Sequence, residues 1–408
     1  MEEKGGKHWM RLEIEKQETA TIEGGDTRCP PPVRQRRMRK LLPWWPTFLL
    51  PISALIVIIA RNYPWGVERF YSEGLYPVLA GSIGRVTSLA PFSVWEIFLL
   101  LLVAGGLSLL IGFLVPPWRK KLFSLPFFQV DFWHWIRRGC NLAGIIVGLF
   151  VFLCGLNYYR PEFASFSDLT VRDSSLQELA SLYVELAERA NQLRLQVSED
   201  EQGVMQLDGS FSQVAKEARE AFSLLSEQYP VLPDLPLTPK PVLNSWWMSR
   251  AQITGQFTFT YEANINVLAP DYTIPATMCH ELAHTRGFMR EDEANFIAYL
   301  ACLESAIPQV QYSGVMLALV HTDNRLYAAD PQLFYQLSQI LSPGVRRDFS
   351  YNNSYWAQFE DQVIAQVSEV VNDTYLKVNS QTDGTQSYGR MVDLLLADFR
   401  QRHGLESH

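Results

Sequence analysis

His280-Glu281-Leu282-Ala283-His284-Thr285-Arg286-Gly287-Phe288-Met289-Arg290-Glu291-Asp292-Glu293-Ala294-Asn295 is the stretch around which the rest of the chain is read. His280 and His284 are four residues apart, so on a helix they project from one face and can hold one metal ion. Glu281 points toward the same pocket. It is too close in sequence to be a third ligand, but well placed to take a proton from a water on the metal. Ala276, Met278, Cys279, Leu282 and Ala283 make this helix mostly apolar, hence buried. Two buried imidazoles one turn apart need a partner, and Zn2+ supplies one. The plainer alternative, two surface histidines, does not suit so apolar a helix. Neutral imidazoles leave zinc a strong Lewis acid, able to lower the pKa of a bound water toward about 7.

A third protein ligand should follow. Gly287 can end the helix in a left-handed conformation, and the acidic run at Glu291 suits the first turn of a new helix. Glu291 and Asn295 share a face, so Glu291 can ligate while Asn295 hydrogen-bonds a ligating histidine. Glu293 projects about 200° away from Glu291 around the helix, so only one of them ligates: Glu291 is preferred and Glu293 is the alternative. Arg290 can orient a carboxylate or form a surface ion pair. A developing oxyanion needs a further donor, and Tyr312 and His321 are the candidates, against ordinary readings as a packed aromatic and an exposed histidine.

Outward from this core, residues 160–408 carry mainly helical patterns. Leu176 to Leu193 repeats at helical spacing behind Ser174-Ser175, and Phe211 to Gln228 fits a second helix. Pro230, Pro233, Pro236, Pro239 and Pro241 mark an extended connection. Gln256 to Tyr261 then alternates polar with apolar residues and Asn264 to Leu268 continues it, predicting a small antiparallel sheet, with Phe257 to Tyr261 as an edge for a peptide substrate or else a core hairpin. Helices are expected over about Pro275–Arg286, Glu291–Glu304, Gln309–Arg325, Pro331–Leu341, Tyr355–Leu376 and Tyr388–Arg402. The Asp383-Gly384 turn and Ser387 to Arg390 read as a lid or as a capped helix start. The class is α+β, dominated by helices.

The chain has 408 residues, 48% hydrophobic, with a net charge of -8, yet its mean hydropathy is only -0.03. Apolar blocks must therefore alternate with an ordinary soluble portion. Three runs reach the roughly 20 helical residues needed to cross a bilayer: about 41–60, 93–115 and 140–158. Trp44 and Trp45 sit like interfacial anchors, and Glu96 lies near one end of the second run. A full-length first run starting forty residues in is not a cleaved signal peptide. Arg34, Arg36, Arg37, Arg39 and Lys40 precede the first span, and Arg119, Lys120, Lys121, Arg137 and Arg138 lie between the second and third. Both clusters belong on the cytoplasmic side, which puts residues 160–408 outside. Basic residues beside apolar runs point to a lipid bilayer and not to nucleic acid. Residues 1–40 read as a disordered, basic cytoplasmic tail. Five cysteines without a CxxC spacing argue against both a zinc knuckle and a disulfide framework. Cys279 and Cys302 read as small buried residues.

His280-Glu281-x-x-His284 followed by Glu291-x-x-Ala294-Asn295-Phe296 resembles the gluzincin arrangement, in which a Glu-x-x-x-Asp/Asn helix follows an HExxH helix. The gap from His284 to Glu291 is shorter than most gluzincins have. The longer string from His280 to Cys302, with FTYEANINVLAP, Tyr312-Ser313-Gly314 and Asn372 to Ala397, resembles an uncharacterised bacterial family of membrane-anchored zincins, a domain of unknown function. The resemblance implies a zincin fold and peptidase activity on a peptide or protein substrate, with no known substrate. The expected activity is that of a multi-pass cell-membrane zinc metallopeptidase with Glu281 as general base. The competing class is a zinc-bound extracytoplasmic sensor or assembly factor without hydrolysis, for which a general base is not required. Intramembrane proteolysis fits less well, because the HExxH helix lies far beyond the last span and is not of lipid-crossing length.

Overall fold

Unbroken apolar sequence makes helices that the described residues leave mostly exposed. The protein, seen in a computed structural model, is described over residues 42–125, 128, 131–360, 363–378 and 390–405. Among these residues three helices are long and apolar enough to cross a membrane: Trp44–Asn62, Val94–Leu114 and Phe132–Leu153. The first is a 3-10 turn, Leu42–Phe48, running into α1, Leu49–Asn62. Between it and the second lie a short turn at Pro64–Val67, a π-helical stretch at Glu68–Leu75 and α2, Tyr76–Thr87. The second span is α3, Val94–Leu114, and the third is α4, Phe132–Leu153.

The third span sits earlier than the expected 140–158. Asp131 caps it through the His134 amide, so the helix runs straight through Arg137 and Arg138. It stops at Leu153, and Cys154, Asn157 and Tyr158 are buried in and beside a 3-10 turn, Gly155–Tyr159. First and third spans pack closely through Gly144 and Gly148, the small-x-x-x-small spacing that lets helices approach. A Cβ at Gly144 would collide with the Pro46 carbonyl, and one at Gly148 would touch Leu49. Thr47 donates to Asn141 across this contact at 2.7 Å.

The helical stretch between the first two spans does not stand apart. Tyr71, Tyr76 and Ala80 belong to the same hydrophobic core as residues beyond 160. That core is built on α5, Leu176–Arg194, and α6, Phe211–Gln228. Ser175 and Glu178 start α5 with a reciprocal capping box, and one face of each helix is buried at helical spacing.

The sheet is smaller than the alternating sequence suggests, and it is mixed. Its order is β1-β3-β2, with β1 (Lys240–Pro241) parallel and β2 (Gly255–Phe257) antiparallel to β3 (Ala263–Ile265). The wholly antiparallel expectation fails because the proline-rich segment supplies β1 and returns through a short helix, α7, Ser245–Arg250. The expected strand over 256–261 is cut short at Phe257: the Tyr261 amide turns back onto the Thr258 carbonyl, with Tyr261 at φ 56.

Five helices follow as far as residue 357: α8 (Ile274–Thr285), α9 (Glu291–Glu304), α10 (Pro308–Ala329), α11 (Pro331–Leu337) and α12 (Pro343–Ala357). Then come α13 (Val363–Val378) and α14 (Met391–Arg402). One helix was expected over 355–376; there are two, and the first begins at Pro343 behind a Ser342 cap. α9 packs on α8 and α10, and α6 lies across α8 and α9. The expected tail (1–40) and the Asp383-Gly384 turn lie outside the described residues.

Candidate metal centre

The site is made by two helices and the turn between them. α8 ends where expected, at Gly287, whose φ of 88 only glycine adopts without strain. The Phe288 amide then bonds back to the Ala283 carbonyl at 3.2 Å. This turn reverses the chain so that the first residue of α9, Glu291, faces the two histidines. His280 Nε2 lies 3.2 Å and His284 Nε2 3.7 Å from the Glu291 carboxylate oxygens. One ligand atom from each of the three residues lies within 4.8 Å of the others.

Those separations suit a tetrahedral ion. Metal–ligand bonds of about 2.0–2.1 Å imply ligand–ligand edges of about 3.3 Å. The tautomer is also set. His284 Nδ1 sits 2.7 Å from the Phe288 carbonyl, so Nδ1 carries the hydrogen and Nε2 is left bare toward Glu291. Tyr76, from between the first two spans, donates to the His284 carbonyl at 2.9 Å. Among the described residues, His280 Nδ1 and Glu281 Oε2 are buried side-chain atoms without a hydrogen-bond partner. This donor set, two imidazoles and a carboxylate, fits zinc.

Burial and mutual contact shift all four titratable groups of the site. Burial pushes the Glu281 carboxyl up to about 8; the Glu291 charge adds to this, while His280 and the Phe257 backbone pull the other way. Burial, helped by the charge of His280, takes His284 down to about 4, against the pull of Glu291 and Phe288. Burial also pulls His280 down, but the bond to Glu291 and its charge outweigh it, and His280 ends raised. Glu291 is raised by burial and lowered more by the two imidazoles, His280 first, so it ends below its ordinary value. His280 and Glu291 thus shift in opposite directions, as a base and an acid in contact do.

The structure sorts the other expected residues. Glu293 turns away: its carboxylate accepts from the Phe163 amide at 2.7 Å and from Arg290 at 2.8 Å. Arg290 thus pairs with Glu293 in the interior and also binds the carbonyls of Arg160 and Pro161. Asn295 is buried, lines the cavity and lies beside His280, whose pKa it helps raise. Tyr312 does not reach the site: its hydroxyl donates to Asp348 at 2.6 Å, within a buried cluster that includes Arg194. His321 does line the cavity, half-buried, and is not the exposed residue its polar neighbours suggest.

The cavity measures about 930 Å3. One wall is the edge of the sheet, residues Gly255 to Phe259, and another is α12 through Asn352 and Trp356. Gly255 is a residue the sequence reading passed over. A Cβ there would stand 2.5 Å from Glu281 Oε1 and 2.7 Å from Thr277 Cγ2, so only glycine lets the strand lie this close over the helix. A glycine inside an alternating strand is the signal that could have marked it.

Comparison with known proteins gives a family and no function. No curated protein and no solved structure matches the chain. Residues 71–396, which include the turn, both helices and the sheet edge, match the family described as "Protein of unknown function (DUF3810)". The chain is a member of that family.

Proposed function

We propose that this protein is a membrane-anchored zinc metallopeptidase with a zincin-like catalytic body. The observation that carries the reading is the convergence of His280, His284 and Glu291 at tetrahedral spacing, with the unpartnered oxygen of Glu281 in the same cavity. His280, His284 and Glu291 would hold the ion, with Glu293 excluded by its own partners. Bound zinc lowers the pKa of a water and polarises a carbonyl. Glu281 is the proton carrier: the ion's charge favours its ionised form, and it can take a proton and return it to the leaving amine. His321, which lines the same cavity, would be the donor to a developing oxyanion. β2, at the sheet edge, can align an extended peptide as an added strand. The Lys/Arg clusters before the first span and between the second and third support a cytoplasmic N-terminus and an extracytoplasmic catalytic body.

The test uses the full-length protein in lipid nanodiscs, with zinc content and peptide cleavage measured for wild type and Glu281→Gln. The variant should keep its zinc and lose at least about 100-fold in cleavage. Zinc bound to the wild type without cleavage of any member of a peptide library would replace this reading with the non-hydrolytic sensor.

A further inference from the structure

The metal centre is joined to the spans without a linker. Glu262, just before β3, accepts from the Val94 amide at 2.9 Å and the Trp95 amide at 3.0 Å, so it caps the second span. Glu96, one turn into that span, accepts in return from the amides of Leu243 and Asn244. At the third span the Tyr71 and Tyr261 hydroxyls donate to the last carbonyls, Phe152 and Leu153. Two span ends are thus fixed to the sheet and to the turns beside it.

The cavity reaches those ends. Trp95 in the first turn of α3 and Phe150 near the end of α4 line the same cavity as His280 and Glu281. Phe259 bridges them, with ring centroids 5.8 Å from Trp95 and 6.4 Å from Phe150. Two residues back along the chain, Phe257 lies 6.2 Å from the His284 ring. An aromatic wall therefore runs from the membrane-crossing helices to a metal ligand. Phe259 itself is 36% exposed, and Leu243, beside the Glu96 clamp, is 67% exposed. Exposed apolar surface set beside the ends of two membrane-crossing helices suits an apolar segment as it leaves a bilayer.

We infer that the substrate is a membrane-anchored polypeptide, bound through the apolar stretch next to its anchor and cut within a few residues of the bilayer surface. This rests on the peptidase reading and narrows it. Phe259, with Trp95 and Phe150, receives the part nearest the anchor, while β2 aligns the residues that follow.

The experiment uses the full-length protein in phosphatidylcholine–phosphatidylglycerol vesicles. One fluorogenic peptide is offered on the same transmembrane anchor through about three or about twenty extended residues, a reach of roughly 10 or 65 Å. Anchoring concentrates both equally, so their ratio reports geometry. The short form should be cut at least about tenfold faster, and Phe259→Ser should lower that ratio while zinc content holds. Equal rates, or a preference for the long form, overturn the inference and leave the peptidase standing. Cleavage of neither form, with Glu281→Gln indistinguishable from wild type, overturns the peptidase reading and this one with it.

Discussion

At Glu281, burial has a consequence for stability that can be signed. Its carboxyl stands at about 8 in the folded, metal-free protein against an ordinary 4.5. Between those values the folded state holds a proton that the unfolded state has released, so stability falls as pH rises through that window. Glutamine cannot titrate. Metal-free Glu281→Gln should therefore gain on wild type steadily from pH 5 to 8, by at most about 1.4 kcal/mol per unit. Melting temperatures in chelator across that range check it, and a constant difference refutes it. Gly255 acts on the same side chain by shape. Gly255→Val would drive a methyl into Glu281 and Thr277, so cleavage should drop by about tenfold or more, with zinc retained. A variant with unimpaired cleavage would show that the strand need not lie so close. His280, Glu281 and His284 were readable because helical spacing sets them over one pocket, whereas Glu291 was preferred over Glu293 only by the face it shares with Asn295. Tyr312 misled because a tyrosine's partner is set by tertiary packing, here Asp348, which no local pattern announces.

Among the elements, the turn between α8 and α9 decides whether three ligands meet. Gly287 lies in left-handed space, and a Cβ there would approach Asn157 Nδ2 at 3.0 Å and Arg160 Nη1 at 3.2 Å. Gly287→Ala should cost about 1–2 kcal/mol from conformation alone and weaken zinc binding by tilting α9 against α8. Thermal melting and zinc competition with a chromophoric chelator measure both; unchanged zinc affinity would show that the turn serves stability only. The bounds of α6 and α9 were legible from caps, apolar period and charge at the first turn. The π-helical stretch and α2 were not, since they lie between two spans where apolar residues read as lipid-facing. α12 was missed for the opposite reason. Arg346, Arg347, Asn352 and Asn353 make it polar, and only Val345 and the paired Asp348 are buried on it, so it shows no apolar stripe.

On the scale of the whole molecule, the spans, the sheet and the helix pair form one connected path. Glu262, just before β3, and Glu96 on α3 tie the sheet and the turn after β1 to the span. β2 lies over α8, and α8 meets α9 through the turn, the site and the packing behind it. The clamp at Glu96 was half visible in the sequence, as an acid inside an apolar run; the amides that donate to it, at Leu243 and Asn244, are far along the chain and could not be read. Zinc would close this path by joining His280 and His284 on one helix to Glu291 on the next, where His280 and Glu291 otherwise face each other at 3.2 Å. Binding to the folded state alone stabilises by RT ln(1 + [L]/Kd), about 4 kcal/mol at a thousandfold excess over Kd. Zinc added to chelator-treated protein should therefore raise its melting temperature. It should also slow amide exchange over residues 274–304, with little change in α5, which packs on α10 away from the ligands. Glu291→Ala should lose most of both effects and Glu293→Gln should keep them. A wild type whose melting and exchange ignore zinc, or a Glu291→Ala variant that responds fully, would mean that these two helices are held together by packing alone.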